Sequence, residues 1–372
     1  MAHNKRDTRN HNGLKERETL KRIVLTGGGT AGHVTPNLAL IPHLQERGWE
    51  IHYVGSINGM EKDLVENLPG VHYHGVASGK LRRYLDLKNL SDPFRVLQGA
   101  AQATALLAKL KPNVVFSKGG FVSVPVVYGA WLNRVPVVSH ESDLSPGLAN
   151  RLCQPFVRLV CTSFPETAKA LKKGRYTGTP LRDELFAGSR ERGLARFSLE
   201  GKKPVLLVTG GSSGAQAINK TLREALPLLL PDFEVLHLCG RGNLDEGLQR
   251  KGYCQVEYLS DGMADAFACA DVLISRAGSN TLCEILALRK PSLLVPYPKG
   301  ASRGDQIENA ASFAQRGLAK VLLQENMTPQ TLQAQLRQLY DERADYIRAM
   351  QAEPSGNGLQ AVLQILEETA KP

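Results

Sequence analysis

Ile23-Val24-Leu25-Thr26-Gly27-Gly28-Gly29-Thr30-Ala31-Gly32-His33, near the start of the chain, and Val205-Leu206-Leu207-Val208-Thr209-Gly210-Gly211-Ser212-Ser213-Gly214-Ala215, in its second half, read alike. Each is a short apolar run that ends in glycines and opens a helical pattern. A buried strand ending this way brings backbone N–H groups and a helix N-terminus up to an anion, usually a phosphate or diphosphate. Two such loops predict two Rossmann-like α/β domains with parallel sheets facing a central cleft.

The flanking sequence supports that plan. Strand-like runs at 22–26, 51–55, 71–76, 113–117 and 136–140 alternate with helical patterns such as 38–47 and 99–110, and the second half repeats the scheme at 204–209, 234–239, 254–258, 271–275, 292–296 and 319–322. Such alternation builds a parallel sheet with helices on both faces. The stretch 175–201 carries Gly178-Thr179-Pro180 and a charged segment at 189–196. The predicted division is therefore a basic tail at 1–20, a first domain at 21–180, a linker at 181–200, a second domain at 201–350 and a C-terminal helix at 351–372.

At 372 residues the chain is too long for one ordinary core and suits two. Its formal net charge of +10 points to nucleic acid, an anionic membrane surface or phosphorylated substrates. No aromatic-interleaved basic motif accompanies the charge, so nucleic acid is not expected as a partner. The basic opening stretch has no apolar core of the kind a signal peptide needs. No apolar run reaches the roughly 18 to 20 residues that span a bilayer. The six cysteines form no CxxC pair and lie mostly in apolar runs, which reads as reduced core thiols and no metal site.

Gly27-x-Gly29-x-x-Gly32 also fits the dinucleotide fingerprint, which expects an acidic residue about 20 positions on, at the end of the second strand. That strand ends in Val54-Gly55-Ser56, which argues against a dehydrogenase, and His33 stands where a P-loop has lysine. His33 lies at the helix opening. It suits a diphosphate contact, a general base or an ordinary N-cap-region histidine. Lys118-Gly119-Gly120-Phe121-Val122-Ser123 and His140-Glu141-Ser142-Asp143 follow apolar strands, where open α/β sheets bind ligands, although Ser142 and Asp143 are equally good helix caps. Ser275 to Glu284 places hydroxyl and amide groups at a helix opening and Glu284 about one and a half turns in. That suits a diphosphate on the N-terminus and a ribose diol on the carboxylate, or a plain capped helix.

Together, Gly28-Gly29-Thr30-Ala31-Gly32-His33-Val34-Thr35-Pro36, Gly119 to Ser123, Gly178 to Arg182, Gly210 to Ala215, Arg276 to Glu284 and Asp305-Gln306-Ile307-Glu308-Asn309-Ala310 stand in an order that resembles glycosyltransferase family 28. The likeness, from about Lys21 to the end, is to its bacterial N-acetylglucosaminyltransferases, which convert lipid I to lipid II in peptidoglycan synthesis. It implies a GT-B fold and inverting transfer of GlcNAc from UDP-GlcNAc to the muramyl 4-hydroxyl of an undecaprenyl-diphosphate-linked muramyl pentapeptide. No cofactor is implied.

Position by position, the resemblance puts Thr30, Ala31 and Gly32 at the cleft, and Arg182 and Ser212 on donor phosphates. It puts the backbone of Ser279, Asn280, Thr281, Leu282 and Cys283 on the diphosphate, Glu284 on the ribose and Gln306 on the GlcNAc hydroxyls. The family most often reads His-Glu-Gln-Asn where this chain has His140-Glu141-Ser142-Asp143, and that asparagine contacts the donor sugar. Asp143 accepts hydrogen bonds but cannot donate them. His33, Glu141 and Asp143 all stand as candidate bases. No Asp-x-Asp pair occurs, so helix dipoles and Arg182 are expected to stabilise the leaving UDP.

Lys80 to Lys88, with Leu81, Arg82, Arg83, Tyr84 and Leu85, mixes basic and large apolar residues. The mixture suits either an amphipathic element packed on its own domain or peripheral docking on an anionic surface, here the cytoplasmic face of the cell membrane. Rival readings within the fold are transfer to another lipid acceptor and a UDP-GlcNAc 2-epimerase.

Overall fold

The computed structural model describes residues 20–78, 92–211, 214–259, 261–300, 304–354 and 356–372, with backbone alone for 92–95. The expected membrane contacts Leu81, Arg82, Arg83, Tyr84 and Leu85, and the expected phosphate contact Ser212, lie outside the described residues.

The first half runs β1 (Arg22–Thr26), α1 (Ala31–Glu46), β2 (Glu50–Ser56), α2 (Met60–Val65), β3 (Val71–Val76), α3 (Asp92–Leu110), β4 (Val114–Ser117) and α4 (Ser123–Leu132). It continues with β5 (Val137–Glu141), α5 (Leu148–Cys153), β6 (Leu159–Thr162), α6 (Pro165–Ala170) and β7 (Gly174–Tyr176). These strands form one parallel sheet in the order β3-β2-β1-β4-β5-β6-β7. Ile23, Val24 and Leu25 are wholly buried because helices cover both faces, which is why β1 reads as a continuous apolar run. Strands β6 and β7 add to those expected from the sequence. They are only four and three residues long, too short for a clear period.

The second half comprises α7 (Arg190–Arg196), β8 (Val205–Thr209), α8 (Gln216–Leu229), β9 (Glu234–Leu238), β10 (Tyr253–Val256), α9 (Met263–Cys269) and β11 (Val272–Ser275). Then follow α10 (Ser279–Leu288), β12 (Ser292–Leu294), α11 (Asp305–Gln315), β13 (Lys320–Val321), α12 (Pro329–Asp341), α13 (Arg343–Ala352) and α14 (Leu359–Thr369). Its sheet, also parallel, has the order β10-β9-β8-β11-β12-β13. Helix α7, inside the expected linker, packs on this half: Ser189 N–H donates to Asp265 at 2.8 Å, and Arg190 donates to the Cys269 carbonyl at 2.7 Å.

Helix α14 returns to the first sheet. Val362, Leu363 and Leu366 are buried in one cluster with Ile23, Leu40 and Ile51. The chain thus crosses between the halves twice, and the crossings are stitched together. Thr179 N–H donates to the Gly356 carbonyl at 3.2 Å, and Gly358 N–H donates to the Thr179 carbonyl at 2.8 Å. A Cβ on Gly358 would fall 2.4 Å from the Gly178 carbonyl oxygen, so glycine is required where the two strands meet.

In each sheet the strand order reverses once, between β1 and β4 and between β8 and β11. Crevices at such switch points, beyond the carboxyl ends of the strands, are where open α/β sheets take ligands. The loops there are the ones singled out by sequence.

Candidate active site

In the first glycine loop, the Glu61 carboxylate of α2 lies wholly buried beneath the backbone. It accepts Gly29 N–H at 3.1 Å, Ser56 N–H at 2.8 Å and the Ser56 hydroxyl at 2.5 Å. Burial disfavours its charge, but the bonds from Ser56 and Gly29 outweigh that and hold its pKa below the usual glutamate value. A Cβ on Gly28, Gly55 or Gly59 would come within 2.4, 2.8 or 2.3 Å of the Glu61 side chain. Glu61 is the nearest obstruction at Gly28 and shares that role with the Tyr73 hydroxyl at Gly55 and the Ser56 hydroxyl at Gly59, and the Gly29 N–H expected to meet a phosphate already meets a resident anion.

His33 lies in the first turn of α1, its N–H bonded to the Thr30 carbonyl at 3.1 Å. Its Nδ1 is 3.0 Å from the Gly28 carbonyl, which only accepts, so Nδ1 carries the proton and Nε2 holds the lone pair of the neutral ring. The Gly32 carbonyl, one residue earlier, accepts from Asn280 Nδ2 at 3.1 Å across the cleft. This bond brings the openings of α1 and α10 together.

The loop after β5 is built around Glu141, which is buried. Its Oε1 accepts Asp143 N–H at 3.1 Å, and its Oε2 accepts Gly147 N–H at 3.0 Å and Asn150 Nδ2 at 2.7 Å. Burial raises its pKa, with the Asn150 bond opposing. Glu141 thus faces its own loop, whereas Asp143 is half-buried and accepts Asn309 Nδ2 of α11 at 3.2 Å. The structure separates these two candidate bases in role. Beside them, His140 donates Nε2–H to the Gly178 carbonyl at 2.9 Å, while its Nδ1 is buried with no hydrogen-bond partner among the described residues. Burial and the nearby Lys118 charge keep that ring neutral.

Across the cleft, Gly278 precedes α10, and no side chain caps the helix. The N–H groups of Ser279, Asn280 and Thr281 have no intrahelical partner by geometry and carry the positive end of the dipole. Leu282 differs: its N–H is bonded to the Gly278 carbonyl at 3.0 Å, and Leu282 and Cys283 both bury their side chains in the core. The anion-facing part of the expected segment is therefore its first three residues.

Glu284 lines an inter-domain pocket with Thr35, Pro36, Thr179, Pro180, Leu181, Arg182, Leu185 and Asn280. Its half-buried carboxylate makes no hydrogen bond among the described residues. Burial pushes its pKa up to about 7, and the nearby Arg182 charge limits the rise. Gln306, in the first turn of α11, accepts Tyr297 N–H at 3.2 Å through Oε1. Asn309, one turn on, escaped the sequence reading although it stands in a quoted motif. Its Oδ1 accepts Leu144 N–H at 2.9 Å, and Ser145 bonds the adjacent Glu308, so α11 grips the loop after β5.

The chain matches the glycosyltransferase family 28 N-terminal domain over residues 23–162 and the C-terminal domain of the same family over residues 205–365. It is 51% identical over 354 residues to a protein of Geobacillus thermodenitrificans named UDP-N-acetylglucosamine--N-acetylmuramyl-(pentapeptide) pyrophosphoryl-undecaprenol N-acetylglucosamine transferase, covering 94% of this chain and 99% of that one. A protein of the same name from Oceanobacillus iheyensis is 53% identical with the same coverage. Among solved structures, Acinetobacter baumannii MurG superposes with a TM-score of 0.75 at 27% identity, covering 94% of this chain and 99% of that one. The two chains share one overall fold. The chain belongs to glycosyltransferase family 28.

Proposed function

We propose that the chain transfers N-acetylglucosamine from UDP-GlcNAc to a muramyl pentapeptide linked through diphosphate to undecaprenol. The observation that carries this reading is the cleft between the α1 and α10 openings, joined by Asn280 and Gly32, with the Glu284 carboxylate at its side, which makes no hydrogen bond among the described residues. The relatives' shared name supplies the substrates.

In this reading the donor diphosphate rests on the N-terminus of α10, where dipole and N–H groups meet the charge that grows as UDP leaves, with Arg182 beside it. Glu284 accepts the ribose hydroxyls, Gln306 the GlcNAc hydroxyls, and the acceptor 4-hydroxyl attacks the anomeric carbon from the opposite face. Its proton goes to Asp143 or to Nε2 of His33. Both have lone pairs suited to the task, whereas Glu141 is engaged by three donors. The remaining rate enhancement comes from holding donor and acceptor in line.

The acceptor's lipid calls for a surface that meets a membrane. No helix among the described residues is long and apolar enough to cross one, so contact is assigned to the surface. Tyr128, Trp131 and Leu132 of α4 and Leu148 and Leu152 of α5 are exposed, with Phe156 packed edge-on to Tyr128 at 5.8 Å. Arg134 and Arg151 are exposed on the same two stretches. An apolar, aromatic patch with basic neighbours suits shallow insertion among anionic headgroups of the cytoplasmic leaflet.

The test is UDP release with a short-chain lipid I analogue. Release that requires the acceptor, and disaccharide product, are expected. Conversion of UDP-GlcNAc without acceptor would point to an epimerase. Replacing Trp131 by Ser should weaken binding to anionic vesicles and leave the short-chain reaction intact.

A further inference from the structure

Lys118 follows β4 directly and is 1% exposed, beneath the turn formed by Glu141, Ser142 and Asp143. Its Nζ donates to the Ser142 hydroxyl. The carboxylates of Glu141 and Asp143 are the strongest charges acting on it, with Cys283 of α10 and Cys161 of β6 also near, and its own charge acts on His140. Burial pushes its ammonium pKa down to about 8. An ammonium withdrawn from water is strongly disfavoured unless opposite charge and hydrogen-bond acceptors surround it, so a buried lysine here needs the turn as much as the turn needs the lysine.

The turn carries two carboxylates in one half-buried segment. Glu141 is bound by three donors from its own loop, which leaves Asp143 as the charge presented to the cleft, where it meets Asn309 of the second domain at 3.2 Å. We propose that Lys118 is a positioning residue of the transfer reaction. Acting through Ser142, it balances the Glu141 and Asp143 pair from below and holds the Asp143 carboxylate at the inter-domain contact. This rests on the GlcNAc-transfer reading above. Lys118 itself is too deeply buried to touch a substrate.

The experiment measures UDP affinity and transfer to a short-chain acceptor for wild type, Lys118→Met, Asp143→Asn and the double variant. Lys118→Met should lower kcat by about thirtyfold while leaving UDP affinity unchanged, because the nucleotide lies on the other domain. In the Lys118→Met background, Asp143→Asn should cost at least about tenfold less than it does alone, the signature of a coupled pair. Losses that simply multiply would overturn the proposal. Should Lys118→Met fail to fold, recovery of folding in the double variant supports the pairing. If both fail, Ser142→Ala decides: a drop in kcat of about threefold or more with unchanged UDP affinity supports it, and wild-type kcat overturns it. Absence of acceptor-dependent transfer by wild type would overturn the functional reading and the role of Lys118 with it. Normal wild-type transfer with multiplicative losses removes Lys118 alone.

Discussion

The loop that follows β1 and the turn that precedes α10 both place glycine at a strand end above a helix N-terminus, yet the space around them is filled differently. In the first domain, Gly27, Gly28 and Gly120 are glycines because protein occupies the place of a Cβ: the His33 carbonyl lies 2.5 Å away, Glu61 2.4 Å and the Gly28 carbonyl 2.3 Å. In the turn before α10, a Cβ on Gly278 would meet nothing within 4 Å among the described residues. The same letters in the sequence therefore have two causes. One loop is completed by the protein's own carboxylate; at the other, in the function proposed above, the donor diphosphate completes it.

The largest expected effect comes from emptying the self-completed loop. Glu61→Ala leaves the N–H groups of Gly29 and Ser56 without their acceptor, and stability should fall by about 3–5 kcal/mol in urea titrations. UDP affinity of the folded fraction should not change. A variant of normal stability with weakened UDP binding would erase the distinction between the loops.

Glu284→Ala should do the reverse, weakening UDP binding by about 1.5–3 kcal/mol, the range for hydrogen bonds to a charged group, without loss of stability. The pH dependence follows from the raised pKa of about 7. An acid whose pKa is higher in the folded state than in the unfolded one favours folding least above the folded value. Glu284→Gln should therefore exceed wild type in stability at pH 8 and lose that advantage as pH falls below about 4.5. Calorimetry at the two pH values checks the sign.

The smallest expected change in stability belongs to Gly278→Ala. Its φ of −69° suits any residue and its Cβ would face open space, so stability should stay within about 0.5 kcal/mol of wild type. UDP affinity should still fall, because the methyl group occupies the approach to the α10 N-terminus. Unaltered affinity would move the diphosphate away from that helix and narrow the contrast to Glu284 alone.

Much of the scaffold was legible because its strands are buried on both faces: Ile23 to Leu25 and Val205 to Val208 announce themselves by composition. Arg182, Asn280 and Glu284, drawn from two of the quoted motifs, line one pocket. Glu61 was not legible. Its role arises only when α2 packs beside β2 and β3 and puts the carboxylate under the loop after β1, and its traces, Gly28, Gly55 and Gly59, lie far enough apart to look unrelated. The side to which α14 returns was hidden for a similar reason: an amphipathic pattern shows that a helix covers a core, not which one. Lys118 was read only as the start of a glycine-rich segment, since nothing in a sequence distinguishes a buried lysine from an exposed one.

The return of α14 also bears on how the molecule would come apart. A protease that cuts the exposed stretch between Arg182 and Arg190 severs the chain once, but the C-terminal fragment still ends in a helix whose Val362, Leu363 and Leu366 are sealed inside the N-terminal fragment. The nicked protein should stay a non-covalent pair through gel filtration, and the fragments should separate only when the first domain itself is unfolded.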